Sequence, residues 1–199
     1  ASTFASNSPG GVINFISKTG LEEGGAVAGT IGIDHETYRL DFDYGGALDA
    51  TSYFHVGGFY RTGEGVRDTG FNGKEGGQIK ANLTTEFDGG YIRVHGKYLD
   101  DSTPTILPQP VAVTGTDSDP DYTAIANFDP RTASLYSRYI SAARTLDGDN
   151  NPTTYDIHDG LSVKSAAFGV EAEVEFAPGW TLTNRFRYAD NSGSFVSPF

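Results

Sequence analysis

The sequence predicts an all-β chain whose antiparallel, up-and-down strands belong to the class that closes into a transmembrane β-barrel. Three observations predict it. Segments of about ten residues alternate apolar and polar side chains with period two. The connections between them alternate between short and long, and aromatic residues collect near the segment ends. Composition agrees: among 199 residues Gly supplies 26, Tyr 11 and Phe 13, with no Cys and no Met. No run of about 18 apolar residues occurs, so no transmembrane helix is expected, whereas a barrel strand needs only about 9–11 residues. A mean hydropathy of −0.35 fits strands with one polar face.

In chain order, the first segment, Val27 to Ile33, is the faintest, because its polar parity holds only Ala28, Thr30 and Gly32. The second sets Tyr38, Leu40, Phe42 and Tyr44 against Arg39, Asp41 and Asp43. The third sets Phe54, Val56, Gly58 and Tyr60 against Tyr53, His55 and Arg61. In the fourth, Ile79, Ala81, Leu83, Thr85 and Phe87 alternate with Gln78, Lys80, Asn82, Thr84 and Glu86. The fifth places Ile92, Val94, Gly96 and Tyr98 against Arg93, His95 and Lys97. The sixth is the cleanest: Phe168, Val170, Ala172, Val174 and Phe176 against Glu171, Glu173 and Glu175, carboxylates that must meet water. In the seventh, Trp180, Leu182, Phe186 and Tyr188 oppose Thr183, Arg185 and Arg187, with Asn184 an exception on the apolar face.

Antiparallel partners must share a face, which tests register. A two-residue Gly89-Gly90 turn opposes Phe87 to Ile92 and Glu86 to Arg93. Between the last two segments a Pro178-Gly179 turn mixes faces, so a three-residue turn, Ala177-Pro178-Gly179, is expected, opposing Phe176 to Trp180 and Glu171 to Arg185. Short turns near 47–50, 89–90 and 177–179 contrast with a loop from Thr62 to Gly73 and a very long one from about Asp100 to Val163. Tight turns at one end and long loops at the other are the habit of outer-membrane barrels. Tyr44, Tyr53, Phe87, Tyr91, Phe176 and Trp180 would form the aromatic girdle by the short turns, and Tyr38, Tyr60, Tyr98 and Tyr188 the outer one.

The run Ser8-Pro9-Gly10-Gly11-Val12-Ile13-Asn14-Phe15-Ile16-Ser17-Lys18 resembles the last plug strand of TonB-dependent receptors, with Ser17 where Thr is commoner. The cadence from Tyr38 to Gly46, through Leu48 and on to Arg61, is similar to the family's first barrel hairpins. The resemblance implies a barrel of about 22 strands around an N-terminal plug, of which this chain holds the end of the plug (1–20) and about seven strands (21–199). It implies an outer-membrane location in a Gram-negative bacterium, non-enzymatic uptake of a siderophore, carbohydrate or small organic molecule, and contact with the TonB complex, lipid and lipopolysaccharide. The long loop, with Phe128-Asp129-Pro130-Arg131 and Leu135-Tyr136-Ser137-Arg138-Tyr139, resembles a branch associated with carbohydrates or small aromatic acids. A passive porin or structural outer-membrane barrel is the alternative, followed by an exported soluble β-sandwich adhesin. Residues 1–7 carry no export signal, which a barrel protein needs, and both ends are expected to be cuts in a longer chain.

Other chemistry is scarce. The absence of Cys excludes a disulfide scaffold, a thiolate metal site and a thiol nucleophile. A net charge of −12 repels a phosphate backbone, so nucleic acid is not an expected partner. No nucleophile elbow, phosphate loop or catalytic carboxylate pair occurs, and no cofactor is expected. His35, His55 and His158 are too scattered for metal-ligand spacing. Asp147-Gly148-Asp149-Asn150-Asn151 starts like a calcium loop, but Pro152 and His158 stand where Gly and Glu belong, so a solvated turn is preferred. Arg93, His95, Lys97, Glu171, Glu173, Glu175, Arg185 and Arg187 are expected to face the lumen as a charge-neutralised wall in preference to a substrate path. Tyr122, Phe128, Tyr136, Tyr139 and Tyr155 are the candidate ligand contacts, either stacking on a solute or folding the loop upon itself. Ala133, Tyr136, Ser137 and Ile140 have the spacing of a short helix.

Overall fold

A computed structural model describes residues 16–130 and 132–197. Gly10, Gly11, Val12, Ile13 and Asn14 of the plug-like motif lie outside the described residues, as does Arg131. The described chain is all-β. Seven strands form one antiparallel sheet in simple order: β1 (Gly24–Ile31), β2 (Tyr38–Ala47), β3 (Ser52–Thr62), β4 (Glu75–Phe87), β5 (Gly90–Thr103), β10 (Leu161–Ala177) and β11 (Trp180–Phe195). Between β5 and β10 stand two small hairpins, β6 (Ala112–Thr116) with β7 (Asp119–Thr123), and β8 (Ala142–Leu146) with β9 (Pro152–Asp156). A short 3₁₀ turn at Ile157–Asp159 follows. No described helix is long and apolar enough to cross a membrane, which says nothing of strands.

Each of the seven alternating segments is a strand of the large sheet, paired with its predicted neighbour. Period-two alternation therefore becomes two faces. One carries Val27, Leu40, Ile79, Leu83, Ile92, Phe168, Leu182 and Phe186, all exposed. Phe176 at 65%, Trp180 at 68% and Leu182 at 60% exposure are large apolar groups with nothing packed over them. The other face carries most of the charged and amide side chains, the exceptions on the apolar parity including Asn184 and, toward the loop end, Asp100, Lys164 and Asp190. Among the described residues the buried apolar side chains are only Tyr53, Tyr136 and Ile157, so the sheet encloses no ordinary core.

The structure corrects several expected details. In the β4–β5 hairpin Phe87 pairs with Gly90 and Thr85 with Ile92, so the turn is Asp88-Gly89 and the register sits two residues from the one expected. A slip of two keeps every side chain on its face, so parity could not detect it; Gly89, at φ 84°, supplies the left-handed position. Between β10 and β11, Glu171 does pair with Arg185. The turn is nevertheless the two-residue Pro178-Gly179, because an irregularity between Glu175 and Ala177 adds the residue that restores the faces, and Ala177 opposes Trp180. Phe176 and Trp180 still meet, with ring centroids 6.4 Å apart. The first strand ends at Ile31, short of Ile33, where Gly32 N–H turns back to the Thr37 carbonyl at 2.8 Å. Strands β5, β10 and β11 have 14, 17 and 16 residues, longer than expected, which shortens the long loop to 104–160.

Tyr53 and Tyr91, expected in the girdle by the short turns, do not stand on the apolar face. Both occupy the polar parity, where the Tyr53 hydroxyl donates to Glu86 at 2.9 Å and the Tyr91 hydroxyl to Glu171 at 2.8 Å. Their nearness in sequence to the short turns was a weaker guide than the pleat. Among the described residues no helix follows Pro130: Thr132 and Ala133 N–H reach the Asp129 carbonyl, but Tyr136 N–H then turns to the Ser134 hydroxyl and Ser137 bridges to Ile140.

Candidate functional site

The polar face is built row by row from the register. One row runs Asp43, Gly57, Lys80, Lys97, Ala167; the next runs Gly45, His55, Asn82, His95, Gly169, Arg187; a third runs Tyr53, Thr84, Arg93, Glu171, Arg185. The predicted inward residues Arg93, His95, Lys97, Glu171, Glu173, Glu175, Arg185 and Arg187 thus share one face.

Ion pairs knit this face across strands. Glu171 accepts from Tyr91 and from Arg185 Nε at 3.2 Å, and lies 3.6 Å from Arg93 Nη1. Arg93 Nε also donates to Thr84 Oγ1 at 2.8 Å, under which Thr84 is fully buried. Arg61 grips Asp101 with two nitrogens, Nε at 2.8 Å, a fork-on-fork contact of the stronger kind. The Arg39 guanidinium pairs with Asp41 and lies 4.0 Å from the Phe59 ring centre. The opposition of Glu171 to Arg185 was anticipated; the Arg61–Asp101 and Arg39–Asp41 pairs were not, although all four residues share the polar parity.

The segment 16–19 lies on this face. Lys18 Nζ meets Asp43 Oδ2 at 2.8 Å, His55 Nε2 stands 3.3 Å from the same oxygen, and Asn82 Nδ2 donates to the Lys18 carbonyl at 2.8 Å. Gly20 closes the segment against the sheet. At φ 85° its pro-Cβ position is 1.7 Å from the Phe54 carbonyl oxygen, so no larger residue fits there. Beneath and beside the segment is a trough of about 660 Å³, bordered by both charged and small side chains of β2 to β5, β10 and β11.

The second candidate region is the loop layer. Glu64 Oε2 accepts N–H of Thr69 at 2.7 Å and of Gly70 at 2.9 Å, closing the loop between β3 and β4. Arg67 Nη2 donates to the Pro130 carbonyl at 3.0 Å, joining that loop to the long one. Phe71 lies 3.9 Å from the His158 ring and 6.1 Å from the Tyr136 ring. Buried Tyr136 accepts Thr105 N–H at 2.9 Å and donates its hydroxyl to the Val196 carbonyl at 3.2 Å. The five aromatics proposed as ligand contacts are therefore spread out. Tyr136 holds the loop base, Tyr122 and Tyr155 stand on the separate hairpins β7 and β9, Phe128 follows a turn from Ile125, and Tyr139 is 79% exposed with the Arg138 guanidinium 4.9 Å from its ring centre.

Asp147 Oδ1 accepts N–H of both Asp149 and Asn151 at 2.9 Å, which makes the calcium-like run the turn of the β8–β9 hairpin. Those backbone donors, Asn151 first, hold the Asp147 carboxyl below its ordinary range. No group of three or more metal-binding side chains occurs among the described residues. No protein-family profile, curated protein or solved structure matches the chain.

Proposed function

We propose that the chain is the early part of an outer-membrane β-barrel that takes up a scarce or bulky solute with TonB-coupled energy, residues 1–20 being the end of its plug. The observation that carries this reading is the two-faced sheet, with exposed apolar side chains on one side and ion-paired side chains on the other. Such a sheet suits a wall between lipid and a water-filled lumen, and its unpaired edges β1 and β11 suit closure by further strands. Seating of segment 16–19 on the polar face supports a plug over the passive porin, since a porin lumen has no need of a strap tied by Lys18 and Asn82. Short turns at one end and the 104–160 layer at the other support an extracellular capture role for that layer. The acting partners are then the inner-membrane TonB complex, lipid and lipopolysaccharide, and the solute; the protein is a transporter and not an enzyme.

The test is uptake in cells carrying the full protein. Solute accumulation that collapses on adding a protonophore or deleting TonB supports active transport; unaltered accumulation identifies a porin. A monodisperse, cooperatively melting monomer of residues 1–199 in detergent-free buffer would point to the sandwich adhesin.

A further inference from the structure

Most cations on the polar face have a carboxylate partner. Arg39 has Asp41, Arg61 has Asp101, Lys18 has Asp43, and Arg93 and Arg185 share Glu171. Lys80 and Lys97, directly opposed on β4 and β5, have no carboxylate partner among the described residues. Opposed side chains on one face start about 4.5–5.5 Å apart, and like charges there are destabilising. Their row continues into Gly57 on one side and Ala167 on the other, neither of which supplies a polar group to relieve the pair.

The adjoining row adds donors. His95 opposes Gly169, and a side chain at Gly169 would place its Cβ 2.2 Å from His95 Nε2, so the imidazole lies over β10 in the space the glycine leaves. Arg187 opposes the same glycine from β11. Lys80, Lys97, His95 and Arg187 all border the 660 Å³ trough. Asp41, Asp43 and Glu171 border the trough too, but their charges are taken by Arg39, Lys18, and Arg93 with Arg185, so among the described residues Lys80, Lys97 and Arg187 remain as its unpaired cations in a chain of net charge −12.

We propose that Lys80, Lys97, His95 and Arg187 form a binding station for a small anion bearing carboxylate or phosphate groups. An anion between Lys80 and Lys97 turns their repulsion into two charge-assisted contacts, and Arg187 offers a two-pronged donor for a planar carboxylate or a phosphate. The proposal rests on reading the polar face as a lumen wall, and it makes the transported solute anionic.

The experiment is titration calorimetry of the full chain in detergent at low ionic strength, with citrate and with inorganic phosphate as separate probes. Saturable binding of either that weakens as salt is added is expected, with citrate alone, phosphate alone or both identifying the preferred anion. The double variant K80Q/K97Q should lose about tenfold or more in affinity, since each tenfold is a small charge-contact energy. K164Q, which removes a lysine paired with Asp100 outside the trough, should bind as wild type does. Equal affinity in K80Q/K97Q, or no binding of either anion by the wild type, overturns the proposal. Should the double variant fail to insert, K97Q alone replaces it, and unchanged affinity there overturns the proposal equally. Binding in detergent needs no energy source, so protonophore-insensitive uptake alongside intact binding would reject active transport and leave the station standing.

Discussion

The seven-stranded sheet and the loop layer above it are held by different means. In the sheet, every strand pairs with its chain neighbours over many residues, and β5 passes directly to β10, with Thr103 opposite Leu161, although 57 residues, 104–160, intervene. No ladder contact of the sheet runs through the loop. The loop layer has two hairpins of five-residue strands and a base fastened by single side chains: Glu64, Arg67, Phe71, Tyr136 and His158. The sheet therefore distributes its stability, while the layer concentrates its own in a few contacts. A scaffold that withstands loss of its loop, and a loop that can vary without disturbing the scaffold, follow from that difference.

The comparison breaks most readily through the apolar face. On the proposed barrel reading, Val170→Arg should cost about 2–4 kcal/mol of stability if the residue lies near the bilayer midplane. Loss of the folded, heat-shifted band on electrophoresis measures it. Cysteine at position 171 should react with a polar thiol reagent in intact membranes while cysteine at 170 stays protected; the reverse pattern would invert the two faces.

A smaller effect, confined to the layer, is expected from Tyr136→Phe. The buried hydroxyl both accepts from Thr105 and donates to Val196, so its removal should cost about 1–3 kcal/mol by leaving those groups unpaired. Protease cutting between residues 104 and 160 should accelerate while the inserted sheet melts unchanged. Comparable loss in both would show that layer and sheet are one cooperative unit. Deleting Tyr122 to Tyr155 sharpens the same contrast, since it removes only residues outside the large sheet. On the proposed reading of the chain as part of an uptake barrel, the inserted deletion mutant should keep its heat stability and lose high-affinity uptake.

Within the sheet, Glu171→Gln removes the negative charge shared by Arg93 and Arg185. Because the cross-strand contacts are redundant, the change should cost only about 0.2–1 kcal/mol, read from the unfolding midpoint in detergent. The least effect is expected at the short turn between β2 and β3. There Thr51 N–H, then the Thr51 hydroxyl and Ser52 N–H, hold the Asp49 carboxyl below its ordinary value. A carboxyl depressed on folding stabilises above its unfolded pKa of about 3.9, and that contribution fades as pH falls through the lower folded value. Protection of the Thr51 and Ser52 amides from exchange, taken relative to their intrinsic rates, should therefore fall below about pH 4 in the wild type. In Asp49→Asn it should show no such step.

Legibility followed the same division. Alternation found all seven strands of the sheet, because a charged side chain such as Glu173 and an apolar neighbour such as Val174 cannot exchange faces without cost. It also grouped Arg93, His95, Lys97, Glu171, Glu173, Glu175, Arg185 and Arg187 on a single face of the sheet. It did not find the turn register at Asp88-Gly89, since a two-residue slip leaves parity intact, nor the irregularity beside Phe176, which lets a two-residue turn obey the faces. The small hairpins of the long loop were missed because five-residue strands such as Ala112–Thr116 and Pro152–Asp156 have neither length nor alternation enough to register. Tyr53 and Tyr91 were misplaced by trusting sequence distance from a turn over parity.

What the amino-acid order determined by itself was which side chains share a face and which strands are neighbours, for these depend on local pleat and solvation. Only the tertiary structure decided who meets whom across that face: Arg61 with Asp101, Lys18 with Asp43, Tyr136 with Val196, and Lys80 opposite Lys97. Such partners come from separate stretches of chain, and their meeting depends on register and loop closure, which no single segment encodes.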